Sequence, residues 1–271
     1  VYVTDIATDG TLGELKRIIK DLPDGGQHQN RTLAVGPDKH LYISCGSTAN
    51  ATDESHPESA TMVRTKLDGV SRTIFASGLR NTIGFDWHPV TKELWGMDHG
   101  IDWLGDDTQK EELNKIEDKK NYGWPYVFED GKFTPHRQPP GELTHEEWKA
   151  MSSPAVLTYT AHAAPMQMQF YKGNSFPAEY RNDAFVTMHG SWNRQPPSGY
   201  EVVRVKFENN QAVAIEPFIT GFLYKDGEEF AQFGRPMGLA TLPDGSLIIS
   251  DDSGGVVYRV SHDASQTAGN Q

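Results

Sequence analysis

Short stretches of alternating apolar and polar residues, broken by Gly or Pro-Asp, recur along this chain of 271 residues. Residues 33–44 read Leu-Ala-Val-Gly-Pro-Asp-Lys-His-Leu-Tyr-Ile-Ser, which predicts strand, tight turn, strand. Residues 83–98 repeat that layout, with Gly-Phe-Asp-Trp-His-Pro before the turn and Glu-Leu-Trp-Gly-Met-Asp after it. Residues 238–251 give it again around Leu-Pro-Asp-Gly-Ser, and 168–188 carry a looser copy. A third alternating stretch follows each hairpin, at 62–67, 112–116, 200–207 and 256–260. A fourth follows the first three of these, at 72–76, 156–160 and 212–219.

Four strands per repeated unit predict an all-β fold, a β-propeller of four-stranded blades. A sandwich would also present many short strands, but without the recurring hairpin and its Pro-centred turn. Residues 144–151 begin with Thr, carry acids in the first turn and a Lys later, and predict one short helix. That helix falls in an insertion over 126–154 within the second of these blades. Residues 1–6 and 16–22 read as the third and fourth strands of a further blade, and 264–271 as a loose tail. The count is three complete blades, one lacking its outer strand and one half blade. The expectation is therefore a single propeller domain over 1–263 that lacks its N-terminal blades, which a longer or complementary chain would supply.

Composition narrows the function. A formal net charge of −12 speaks against a nucleic-acid partner, since phosphates are held mainly by Lys and Arg. Acidic loops leave a metal open. Cys45 is the only cysteine, so neither an internal disulfide nor a multi-cysteine zinc site exists; in Leu-Tyr-Ile-Ser-Cys it reads as a buried strand residue. No apolar stretch approaches the ~20 residues of a membrane-spanning helix.

Polar chemistry concentrates in residues 78–125. There, Arg80-Asn81-Thr-Ile-Gly-Phe-Asp-Trp-His-Pro is followed by Asp98-His-Gly-Ile-Asp-Trp-Leu-Gly-Asp-Asp, Glu112-Leu-Asn and Asn121-Tyr-Gly-Trp-Pro. These motifs resemble the soluble quinoprotein glucose and sorbosone dehydrogenase family. Three more stretches extend the resemblance over nearly the whole chain: Gly25-Gly-Gln-His28-Gln-Asn, His189-Gly-Ser-Trp-Asn-Arg194 and Gly234-Arg235-Pro-Met-Gly-Leu-Ala. The family's members are six-bladed propellers that bind pyrroloquinoline quinone (PQQ) with calcium.

The resemblance implies oxidation of a sugar or a related alcohol or aldehyde, with hydride passing to the quinone and electrons to an external cytochrome or quinone. It implies His28 as general base, a task suited to imidazole near neutral pH; the alternative is a loop histidine bonded to its neighbours. PQQ carries three carboxylates, and Arg80, Arg194 and Arg235 are the expected cations, since guanidinium binds carboxylate bidentately. Asn81 is an expected cofactor contact or a turn cap. Trp192, in an otherwise polar motif, is the indole expected beside the cofactor, whereas Trp124 is expected to pack. Calcium is expected on the backbone carbonyls of Gly100 and Ile101, and Gly105-Asp-Asp reads as a solvated turn. His99, His162 and His189 are placed near the pocket. Family analogy implies a periplasmic or secreted enzyme.

The sequence departs from the family at Thr82, where proline is common, Asp98, where glutamate is common, Ile101, where arginine is common, and Lys119-Lys120, where paired glycines are common. These departures bear on substrate class more than on cofactor. Two rival readings remain open: a calcium-dependent propeller lactonase, with Glu112, Asn114 and Asp251 as the only candidate side-chain cage, and a non-catalytic binding propeller.

Overall fold

In the computed structural model, residues 1–23 and 26–263 are described. Strands β1 (Tyr2–Val3) and β2 (Lys16–Arg17) pair antiparallel. The first four-stranded blade follows, with β3 (Leu33–Val35), β4 (Leu41–Cys45), β5 (Thr61–Thr65) and β6 (Thr73–Ser77) adjacent in chain order. The second blade starts with β7 (Thr82–Trp87), β8 (Leu94–Asp98) and β9 (Glu111–Ile116). The chain then leaves through a small hairpin of β10 (Val127–Phe128) and β11 (Lys132–Phe133) and helix α1 (His145–Met151), returning as outer strand β12 (Leu157–Tyr159). The third blade comprises β13 (Pro165–Phe170), β14 (Ala184–Met188), β15 (Glu201–Glu208) and β16 (Gln211–Ile219). A hairpin of β17 (Leu223–Asp226) and β18 (Glu229–Gln232) leads to the last sheet, β19 (Pro236–Thr241), β20 (Leu247–Asp251) and β21 (Val256–Val260).

The hairpin turns form as their residues dictate. The Gly36 N–H donates to the His40 carbonyl, and Lys39 takes the left-handed conformation that glycine occupies at the matching Gly245. Helix α1 has the expected start: the Thr144 hydroxyl accepts from the Glu147 N–H while the Glu147 carboxylate accepts from the Thr144 N–H, a capping box. The two small hairpins were not anticipated. β10–β11 and β17–β18 are two to four residues per strand and lie outside the repeat, so no period marks them. The tail 264–271 lies outside the described residues.

The core is layered between consecutive blades. Tyr42, Met62 and Phe75 of the first blade meet Phe85, Leu94 and Ile116 of the second. Trp95, Met97 and Leu113 of the second meet Met168, Phe170 and Val186 of the third, and Tyr171, Phe185 and Val202 of the third meet Leu247 and Ile249 of the fourth sheet. The second strand of each complete blade is therefore covered on both faces, and β4, β8 and β14 are buried at every position. That double burial explains why Leu-Tyr-Ile-Ser-Cys and Ala-Phe-Val-Thr-Met are nearly continuous apolar runs rather than alternating ones. Cys45 lies in this core, where burial pushes its thiol up to about 11.

Innermost strands of neighbouring blades touch: β7 lies against β13, and β13 against β19. Gly84 of β7 permits the closest approach, since a Cβ there would sit 2.2 Å from the Met166 carbonyl oxygen. The register shifts near the start of each of these strands, between Thr82 and Gly84, Pro165 and Met168, and Pro236 and Leu239. These bulges fall beside the loops that carry the candidate site residues, as bulges do where a strand must re-aim its side chains.

Candidate functional site

The segment entering β7 is held by one carboxylate. Asp98, at the end of β8, accepts from the Arg80 and Asn81 backbone N–H groups and the Thr82 hydroxyl, each at 2.8 Å. The same device recurs in the fourth sheet: Asp251, at the end of β20, accepts from the N–H groups of Arg235, Ser253 and Gly254. Asp98 is buried, so the departure from glutamate concerns how this loop is held. Sequence reading did not single out this role, although the placement of both acids at the close of a repeat's second strand was available as a signal.

With their backbones fixed, both arginines reach across to carbonyls. Arg80 is buried and donates to the backbone and side-chain oxygens of Asn50 and to the His99 carbonyl, with its guanidinium 5.3 Å from the Trp124 ring centroid. Arg235 is half-buried and donates to the carbonyls of His189 and Gly190. Among the described residues neither arginine forms an ion pair with a carboxylate. Burial lowers the affinity of Arg80 for its proton, opposed by the charges of Asp102, Asp98, Glu111 and Glu54.

His28 lies beside Asn81: a Cβ on Gly46 would meet the His28 Cβ at 2.5 Å and the Asn81 Oδ1 at 2.8 Å. Glycine is required at position 46 for that approach. Burial, then the Arg80 charge, depresses His28 to about 4. His99 is pushed down to about 3 by burial, then by Arg80, His28 and His189 among others, so these four residues share one region. The His28 Nδ1 lies 2.8 Å from the Ser47 hydroxyl and 3.1 Å from the Ser47 carbonyl oxygen. Ser47 donates its own proton to the Ala49 carbonyl. Nδ1 must therefore carry the imidazole proton and donate it, which leaves Nε2 as a free lone pair.

The loop after β8 adjoins this group. The Gly100 N–H donates to Glu111 at 2.9 Å, and the same carboxylate accepts from the Ala164 N–H, pinning the loop to the third blade. Ile101 is buried against Ala60 and Trp124. The Gly100 carbonyl accepts no hydrogen bond from the described residues, and the Ile101 carbonyl opens the turn over 102–103.

Arg194 and Trp192, on the loop after β14, bond the loop 102–107; Trp192 is exposed and the Arg194 side chain is largely covered. The Arg194 guanidinium is engaged by the Asp106 carbonyl at 2.8 Å, the Pro196 carbonyl and the Asp107 carboxylate at 3.0 Å. The Asp106-Asp107 turn is thus a partner for that arginine. Trp192 is 72% exposed and donates its indole N–H to Asp102. His162 bonds Asn193 and the Gly105 carbonyl, and His189 bonds Asp252. Trp124 packs, as expected. Asn50 and Asp102 carried no sequence signal, because each is a polar residue in a polar loop whose partner is remote in sequence.

Glu112, Asn114 and Asp251 do not gather into a metal cage. Glu112 accepts from Asn114 and the Glu129 N–H, and Asp251 is occupied by its backbone donors. Among the described residues no group of three His, Cys, Asp or Glu side chains is placed to hold a metal.

Burial, reinforced by the Asp98 charge, raises Glu112 to about 8 from the ordinary 4.5. The folded form therefore holds a proton that the unfolded chain releases, and stability falls as pH rises from 4.5 toward 8. Glu112→Gln is expected to raise unfolding free energy by roughly 2–4 kcal/mol at pH 8 and to change it little near pH 4.5. With the Asn114 amide turned over, the new amide would also donate to the Asn114 Oδ1, a buried acceptor without a partner. Urea titrations at the two pH values check this; equal effects at both would refute it.

The TrAA12-like family model matches residues 1–263. The chain belongs to this family. A pyrroloquinoline quinone-dependent pyranose dehydrogenase of Coprinopsis cinerea is 26% identical over 233 residues, 68% of this chain and 31% of that protein. An uncharacterized protein of Borreliella burgdorferi is 35% identical over 237 residues, 86% of this chain. The chain spans 60% of that relative's length. Among solved structures, the holo PQQ domain of the Coprinopsis cinerea pyranose dehydrogenase superposes with TM-score 0.79 at 20% identity, covering 96% of this chain and 76% of that one. A calcium structure of the Trichoderma reesei family AA12 carbohydrate-active enzyme gives TM-score 0.78 at 19% identity, covering 95% and 75%. The propeller fold of this TrAA12-like chain and its resemblance to the soluble PQQ sugar dehydrogenases thus stand. No helix of the described residues is long and apolar enough to cross a membrane.

Proposed function

We propose that this TrAA12-like protein is a PQQ- and calcium-dependent dehydrogenase that oxidises a sugar or a related alcohol or aldehyde. The supporting observation is the pair of arginines, Arg80 and Arg235, solvated by neutral carbonyls without carboxylate partners. Acids at longer range support the buried Arg80 charge, but no carboxylate is hydrogen-bonded to either guanidinium, and a ligand carrying carboxylates would supply that contact. The carbonyls of Gly100 and Ile101, on the loop after β8, are oxygen donors of the kind calcium takes. When bound, the quinone with calcium supplies the hydride acceptor.

The chain's own residues do the rest. Arg80 and Arg235 orient the cofactor carboxylates, with Asn81 as a further contact. The Nε2 of His28 takes the hydroxyl proton of the substrate while Ser47 holds the ring through Nδ1. Arg194 and Trp192 lie on the loop after β14, where Trp192 presents an exposed face to an incoming ring. The electron acceptor is an external cytochrome or quinone, and the working location is the periplasm or the exterior.

Titration of the full-length protein with PQQ and calcium, followed by ultraviolet-visible absorption, tests this reading. Saturable, calcium-dependent cofactor binding and subsequent dye reduction with an aldose are expected; absence of both would exclude it.

A further inference from the structure

A cavity of about 550 Å³ opens beside the second blade, and none of His28, Arg80 or Arg235 lines it. It is lined by Ser77, Gly78 and Asn121, by the loop 53–57, and by Tyr126, Pro140 and Trp148 from the insertion. The aromatic walls are fixed. The Trp148 indole donates to the Gly123 carbonyl at 3.0 Å and stands edge-on to Tyr126 with ring centroids 4.8 Å apart.

The acids are engaged by neutral donors, Glu54 at both oxygens and the exposed Asp53 at one. Trp124 donates its indole N–H to Glu54 at 2.8 Å, and the Thr48 N–H occupies the other Glu54 oxygen at 2.7 Å. The Tyr126 hydroxyl donates to the Asp53 Oδ1 at 3.0 Å, leaving Oδ2 unspent. Among the described residues, the Asn121 amide nitrogen and the Ser59 and Ser77 hydroxyls have no partner. No Lys or Arg lines the cavity.

Each ligand class meets these groups differently. An anion is repelled by Asp53 and Glu54 without a compensating cation. A purely apolar molecule strands the free donors and acceptors, at about 1–3 kcal/mol each. For a metal ion, no group of three His, Cys, Asp or Glu side chains among the described residues is placed to hold it. A neutral polyhydroxylated ring matches both kinds of group: its hydroxyls can donate to carboxylate oxygens and accept from Asn121 and the serines, while its C–H face can pack on an indole.

We propose that this cavity is a saccharide-binding site, distinct from the redox site and built by the insertion, that holds one neutral sugar unit of an oligosaccharide. The two sites share one indole, since Trp124 lines the cavity and also lies against the Arg80 guanidinium. The proposal does not depend on the redox reading.

The test uses the full chain without PQQ, titrated with cellobiose and maltose and followed by tryptophan fluorescence and calorimetry. Saturable binding is expected, weakened about ten-fold or more by Trp148→Ala and by Asp53→Asn, and unchanged in His28→Ala. Asp53→Asn retains an acceptor for Tyr126 and decides the matter if Trp148→Ala fails to fold. Absence of saturable binding overturns the proposal. So does binding that survives Asp53→Asn but is lost in His28→Ala, which places the sugar at the redox site. Displacement of the sugar by tetramethylammonium overturns it in favour of a cation site.

Discussion

Replacing His28 by alanine is expected to lower turnover of the PQQ- and calcium-loaded enzyme by roughly 10²–10⁴-fold, the usual contribution of a general base, while leaving cofactor affinity nearly unchanged. The separation follows from the geometry: Ser47 holds Nδ1, Nε2 is free, and the cofactor carboxylates are assigned to Arg80 and Arg235. The pH dependence sharpens this. A base works when neutral, and His28 lies near 4 rather than 6.5, because burial and the Arg80 charge disfavour the imidazolium. Cofactor carboxylates bound at Arg80 as proposed would offset part of that charge, so the acid limb of kcat/KM is expected between about 4 and 6.5. Loss of PQQ binding in the variant, measured by absorbance titration, would make His28 structural instead.

The same histidine and His99 also bear on stability. Both fold with depressed affinity for protons, so the unfolded chain binds more protons below pH 6.5, and their contribution is lost as pH falls from 6.5 toward 3.

Asp98→Ala is expected to give the largest loss of stability, about 3–5 kcal/mol, because it strands three buried donors at once: the N–H groups of Arg80 and Asn81 and the Thr82 hydroxyl. The loop they hold also carries Arg80 and Asn81, so a variant that still folds is expected to bind PQQ less tightly. Asp98→Asn keeps one acceptor oxygen and should lose less. Denaturant unfolding of the three proteins provides the check; a loss below about 1 kcal/mol for Asp98→Ala would show that water or a neighbouring oxygen replaces the carboxylate.

The blades were legible because their residues repeat with the chemistry that forms them. Val256–Val260 matches its predicted strand, and Glu111–Ile116 and Thr73–Ser77 differ from theirs by one residue at one or both ends. Helix α1 was legible because its capping box is local, with Thr144 and Glu147 three residues apart. The hairpins β10–β11 and β17–β18 were not, because two to four residues per strand carry too little alternation to register.

At the site the division is sharper. His28, Arg80, Asn81 and Arg235 stood in recognisable motifs, and the structure places the first three together, with Arg235 joined to the neighbouring His189. Whether each cation is free or spent was invisible beforehand. Arg194 is taken up by Asp106 and Asp107, some ninety residues away in sequence, and Trp192 is held by Asp102 at similar separation.

The sequence by itself determined the repeat, the turns and the family, because each rests on contacts between residues close in the chain or on motifs carried whole. Only the tertiary structure decided which guanidinium groups lack a carboxylate contact, which nitrogen of His28 is free, and that the insertion lines a cavity. Those properties depend on burial and on partners brought in from other blades, and a linear order of residues does not contain them.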